Sequence, residues 1–177
     1  MDLDLATQVN IEKIKAELAP LQQQLAARNQ ASVKTALQAA ANDFKAHFEN
    51  AGFTVIGSYP SRMTAKFHTL EFALGFDEAP RLGCWALLQV QQMNPKKPEV
   101  KVALVRKGSN GPQFSMSVGR PDPVADAQKQ LVDAQAALAG PGLQFDFQID
   151  DPAKSTRTGR AFKNFATLGD LLRELYK

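Results

Sequence analysis

The chain predicts an α+β fold: an N-terminal helical pair, then a five- or six-stranded, mainly antiparallel sheet covered on one face by helices. Three observations predict it. Up to residue 51 the apolar residues recur every three or four positions. From Phe53 the rhythm changes to strict alternation. Two later segments return to helical spacing and carry helix-capping chemistry. The division that follows is an N-terminal helical segment, residues 1–51, and an α+β domain, residues 53–177.

In the first segment Ile11, Ile14, Leu18, Leu21 and Leu25 form a seam of the kind that packs one helix on another. Pro20 lies inside it and predicts a kink or a fresh start, because proline lacks the helical N–H and crowds the preceding turn. A second stripe follows: Val33, Leu37, Ala40, Phe44, Phe48 and Ala51. Asn29 or Ser32 is placed to cap a separate helix, giving a hairpin; a single kinked helix satisfies the spacing equally. Gly52 stands where a left-handed C-terminal cap belongs.

The alternating segments are F-T-V-I-G-S-Y (53–59), a long run at 62–76, C-W-A-L-L-Q-V-Q-Q-M (84–93), E-V-K-V-A-L-V-R-K (99–107), Q-F-S-M-S-V-G (113–119) and L-Q-F-D-F-Q-I-D (143–150). Short turns such as N-P-K-K-P (94–98) separate several of them, which favours neighbouring antiparallel strands. Asp122 and Pro123 open a helix over 122–139, with Val124, Ala127, Leu131 and Leu138 on the side expected to cover the sheet. G-P-G at 140–142 ends it. Thr167 and Asp170 form a capping-box-like pair before a Leu168, Leu171, Leu172, Leu175 stripe.

Composition narrows the function classes. At 177 residues the chain is long enough for a core without covalent staples. No stretch approaches the length of an apolar membrane helix, and the acidic, polar start argues against a signal peptide. Cys84 is the only cysteine, so no internal disulfide is available, which fits a reducing, cytoplasmic setting. Net charge is distributed in blocks: residues 53–120 and 152–177 are basic, 121–151 acidic.

Catalytic signals are sparse, and no cofactor, metal ligand set or catalytic residue is assigned. His47, His68 and Cys84 lack metal-ligand spacing, and Cys84 beside Trp85 reads as an inert thiol in an apolar strand. Neither G-S-N-G-P (108–112) nor T-G-R-A-F-K-N (158–164) completes a phosphate loop. Glu99 and Lys101, two apart on a strand, share a face and with Asp77 give the outline of a metal-dependent site. The most suggestive pattern is K-S-T-R-T-G-R-A-F-K-N-F, with Lys154, Arg157, Arg160 and Lys163 at every third position. An extended segment with three residues per turn would align all four along one edge to meet an anion or a nucleic-acid backbone.

The sequence therefore predicts a non-enzymatic protein-interaction module working through the sheet's open face or edge. It self-associates or docks through the N-terminal seam, Ile11 to Leu25. A nucleic-acid-associated protein binding phosphates through residues 154–163 is the alternative, and an enzyme of unassigned chemistry the third. No membrane partner is expected.

Overall fold

A computed structural model of the chain describes residues 4–79, 81, 83–108, 122–155 and 160–176. Among them are three helices and a seven-stranded antiparallel sheet. In chain order these are α1 (Leu5–Asn50), β1 (Thr54–Ile56), β2 (Met63–Phe67), β3 (Leu70–Asp77), β4 (Ala86–Asn94), β5 (Val100–Arg106), α2 (Pro123–Ala139), β6 (Phe145–Asp150), β7 (Phe162–Phe165) and α3 (Leu168–Leu175). The sheet order is β1-β2-β3-β4-β5-β6-β7, every neighbour antiparallel, as a meander requires.

Two expectations need correction. The N-terminal helical pair is one helix, continuous through Pro20 and through residues 28–32. Ser32 caps nothing: its hydroxyl donates back to the Arg28 carbonyl at 3.1 Å, one turn earlier in the same helix. The sheet has seven strands, not five or six. The run 62–76 is two strands joined at His68 and Thr69, and β7 adds a seventh. The strand expected at Gln113–Gly119 lies outside the described residues.

The chain divides into two compact units. One comprises residues 1–32 and 113–143; the other comprises residues 33–112 and 144–177. In the first, Ile14 and Leu18 of α1 and Ala127 and Ala134 of α2 are buried. Asp122 caps α2 by accepting from the Val124 N–H at 3.0 Å. The last turn of α2 carries no basic residue of its own. Arg28 supplies the charge instead, donating to the carbonyls of Leu138 at 2.7 Å, Gly140 at 2.8 Å and Ala137 at 3.3 Å. A guanidinium satisfies orphan carbonyls and meets the negative end of the helix dipole at once. α2 belongs to this unit.

In the second unit a single buried core joins α1, the sheet and α3. It holds Val33, Leu37, Ala40, Phe44 and Phe48 of α1, and Leu168, Leu171 and Leu172 of α3. From the sheet come Met63, Ala65, Phe72, Leu74, Leu88, Val90, Val102, Leu104, Phe147 and Phe165. The register shows why these sheet residues share one face: Met63 opposes Leu74, Leu88 opposes Val102, Leu104 opposes Phe147, and Phe147 opposes Phe165. At the α1 end of this core five rings surround Phe48, at centroid distances of 4.7 Å (Phe44), 5.0 Å (His47), 5.2 Å (Phe53), 4.7 Å (Phe72) and 6.2 Å (Tyr176). α3 is capped twice. Thr167 Oγ1 accepts from the Asp170 N–H at 3.1 Å, and Asp43 of α1 accepts from the Gly169 N–H at 3.1 Å.

Candidate functional site

Among the described residues the meander leaves two strands at its margins, β1 and β7, each paired on one side only. Their positions follow from local chemistry. α1 stops in a Schellman motif: the Phe53 N–H donates to the Phe48 carbonyl and the Gly52 N–H to the Glu49 carbonyl, both at 2.9 Å. Gly52 takes φ +85°, and Phe48 meets Phe53, the apolar contact that accompanies this cap. The chain therefore turns off the helix directly into β1. Gly57, at φ +93°, then bends it towards β2. Across this stretch, from Ala51 to Ser61, there is no charged residue.

Thr54, Val55 and Ile56 pair with Lys66, Ala65 and Thr64. Val55 faces the core with Ala65, and Thr54 and Ile56 point to the opposite side. Ile56 is 61% exposed. At the other margin, β7 presents Phe162 with 53% exposure, on the side away from the core. Lys163 of β7 points to the core side and forms an ion pair with Glu174 of α3. The two margins thus differ in chemistry. Each carries a large exposed apolar side chain, but only β7 carries a charge.

Beside the β1–β2 connection lies a groove of about 460 Å³ lined by Lys34, Thr35, Gln38, Ala39 and Asn42 of α1 and by Tyr59. Tyr59 Oη donates to Glu78 Oε1 at 2.8 Å. Burial, then that carboxylate, push its pKa up to about 12, so the phenol stays a hydrogen-bond donor across the physiological range. Gln38 donates to Asn42 at 3.3 Å. The wall is uncharged apart from Lys34 and offers amide and hydroxyl groups suited to polar contacts.

No protein family, characterised protein or solved structure matches this chain. The physical features of the site therefore carry the argument.

Three of the four basic residues singled out at 154–163 are among the described residues. Lys154 lies in a turn, 3.9 Å from the Asp151 carboxylate. Arg160 is exposed, Lys163 belongs to a strand, and Arg157 lies outside the described residues. Lys101 opposes Gln89 on the face opposite to Lys163, and Arg106 stands at the far end of β5 from Lys101. The acidic residues do not form a metal pair. Asp77 accepts from the Ala79 N–H at 3.1 Å and from Arg81 at 2.6 Å, contacts that hold its carboxyl below the usual range. Asp77 opposes Leu87, two positions along β4 from the partner of Lys101. Among the described residues no group of three or more His, Cys, Asp or Glu is placed to hold a metal ion. Also among them, no helix is long and apolar enough to cross a membrane. Burial pushes the Cys84 thiol up, which disfavours the nucleophilic thiolate.

His47 is half-buried on α1. Burial, then the charge of Arg173 on α3, lower its pKa below the ordinary 6.5. The unfolded chain therefore takes up the proton more readily than the folded one. The contribution of neutral His47 to stability is complete above about pH 6.5 and is lost as pH falls through the depressed folded value. Denaturation midpoints measured between about pH 7.5 and about pH 5 should decline, and His47→Gln should flatten that decline.

The sequence points to the sheet's edge but not to Ile56 or Phe162, since its site residues are the basic run 154–163 and the seam Ile11 to Leu25. The signal that marks β1 is the β-branched run T-V-I between Gly52 and Gly57.

Proposed function

We propose that the protein is a non-enzymatic interaction module that receives a protein partner along a free margin of its sheet. The observation that carries this is the open seven-strand order with Ile56 and Phe162 exposed on its two outer strands. An outer strand presents a row of unpaired N–H and C=O groups, and an extended segment adds to it by main-chain hydrogen bonds. In this proposal the second part of α1 and α3 cover one sheet face, and the partner sits on the edge and the face turned away from them. A single cysteine, which leaves no internal disulfide to form, suits work in the cytoplasm.

The N-terminal seam enters the proposal differently from its first expectation. Ile14 and Leu18 are 8% and 6% exposed within the single chain. That burial supports internal packing of the seam more than self-association through it. Backbone binding needs cations along one surface, and Lys101 lies on the sheet face opposite to Lys163, which favours the interaction reading over the nucleic-acid alternative.

The test is a panel of immobilised five- to seven-residue extended peptides of varied sequence. Wild-type protein is expected to bind a subset, and backbone N-methylation of those peptides should abolish binding. Ile56→Lys combined with Phe162→Lys should weaken it. Binding that ignores both changes, or no binding across the panel, would remove the proposal.

A further inference from the structure

We infer that Met93 is a site of reversible oxidation: hydrogen peroxide converts its thioether to the sulfoxide, and Arg62 holds the sulfoxide oxygen. The site lies apart from the sheet margins and does not depend on the interaction-module proposal.

Met93 owes its position to a β-bulge. Phe72 of β3 opposes Gln92 of β4, but Glu71 opposes Asn94, so Met93 is an extra residue without a partner across the ladder. A bulge re-aims the side chain it carries. Arg62 immediately precedes β2. Its neighbour Met63 points into the core, so Arg62 points to the other side of the sheet. Arg62 Nη2 donates to Met93 Sδ at 3.4 Å. Since β3 lies between β2 and β4, the two side chains meet across β3, on the face turned away from the core. Ala73 of β3 is 2% exposed on that face, which agrees with long side chains lying over it.

A guanidinium carries five N–H donors suited to carboxylate and carbonyl oxygens, whereas a thioether is a weak acceptor. Arg62 is exposed, and among the described residues it forms no ion pair. An oxygen added to Sδ turns the weak acceptor into a strong one, beside a cation already in place. Met93 is partly exposed, so a small peroxide reaches it, and the sulfur keeps a second lone pair for the attack. Met63 provides the contrast, being 2% exposed within the core.

In the reaction a sulfur lone pair attacks one oxygen of hydrogen peroxide. The S–O bond forms as the O–O bond breaks, and the departing hydroxide takes the proton of the transferred oxygen to leave as water. Sulfur is oxidised by two electrons and the peroxide is reduced by two. A sulfoxide reductase reverses the change, with two thiols supplying the electrons and protons. The oxidised site replaces a pliable apolar spot on the outer sheet face with a polar one anchored by Arg62.

The experiment treats the full-length chain with increasing hydrogen peroxide and maps its peptides by mass spectrometry. Met93 should gain one oxygen at doses that leave Met63 unmodified, and a methionine sulfoxide reductase with dithiothreitol should remove it. Guanidinium unfolding, followed by tryptophan fluorescence, reads the part played by Arg62. Met93→Leu versions of the wild type and of Arg62→Ala, treated identically, give the contribution of oxidation elsewhere. After that correction, oxidation should raise the unfolding constant of Arg62→Ala by roughly threefold or more relative to its effect on the wild type, the worth of one hydrogen bond.

Met63 oxidised at the same doses as Met93, Met93 left unmodified, or an oxygen that the reductase cannot remove would overturn the inference. So would an equal effect of oxidation with and without Arg62. The peptide-binding test of the interaction module stands or falls separately in each case.

Discussion

Replacing Phe48 with alanine is expected to lower the unfolding free energy by about 3–5 kcal/mol. The side chain is 3% exposed and lies within 6.2 Å of five other aromatic rings, centroid to centroid. Truncation removes its own burial and leaves Phe44, Phe53, Phe72 and Tyr176 facing a void that their fixed backbones cannot close. Phe48 also holds position in the α1 cap, through its carbonyl and its contact with Phe53, so the entry into β1 loosens with it. Trp85 is the only tryptophan and packs 6.1 Å from Phe145 in the sheet unit. Guanidinium unfolding followed by its fluorescence reads this unit. A midpoint within error of the wild type would show that the ring cluster contributes little.

Gly57→Ala should cost about 2–3 kcal/mol by a different route. At φ +93° an L side chain is strained, and the new Cβ would lie 2.5 Å from the Arg62 carbonyl oxygen and 3.2 Å from the Met63 Cα. Both neighbours are backbone at the start of β2, so relief requires moving the β1–β2 connection. Gly83 provides the contrast. It has φ +88°, and no described residue lies within 4 Å of a built Cβ. Gly83→Ala then carries conformational strain alone, about 1 kcal/mol. Equal midpoints for the two variants would show that the contact at Gly57 is readily relieved.

The parts of the fold visible in the sequence are those set by neighbours along the chain. Asp122 before Pro123, Thr167 before Asp170, and Gly52 after Phe48 each write a helix end in a few residues, and all three stand where the sequence placed them. The break between β2 and β3 was hidden because His68 takes the left-handed conformation at φ 51° where glycine or asparagine is usual. β7 was hidden because F-K-N-F is short and only half apolar. The candidate margin is nonlocal. T-V-I reads as a strand, but its standing at the end of the sheet depends on which segments pair elsewhere.

The strand order has a bearing on how the chain acquires its shape. Since every strand pairs with its predecessor, the sheet grows by successive hairpins as the polypeptide lengthens, and little chain entropy is lost at each addition. The exception is the β5-to-β6 step, which must wait for the 107–144 connection and α2. The bond from Gly169 to Asp43 spans 126 positions, so α3 can seal the core only after the whole sheet has been made. Until then the stripe from Val33 to Phe48 has only the growing sheet to shelter it.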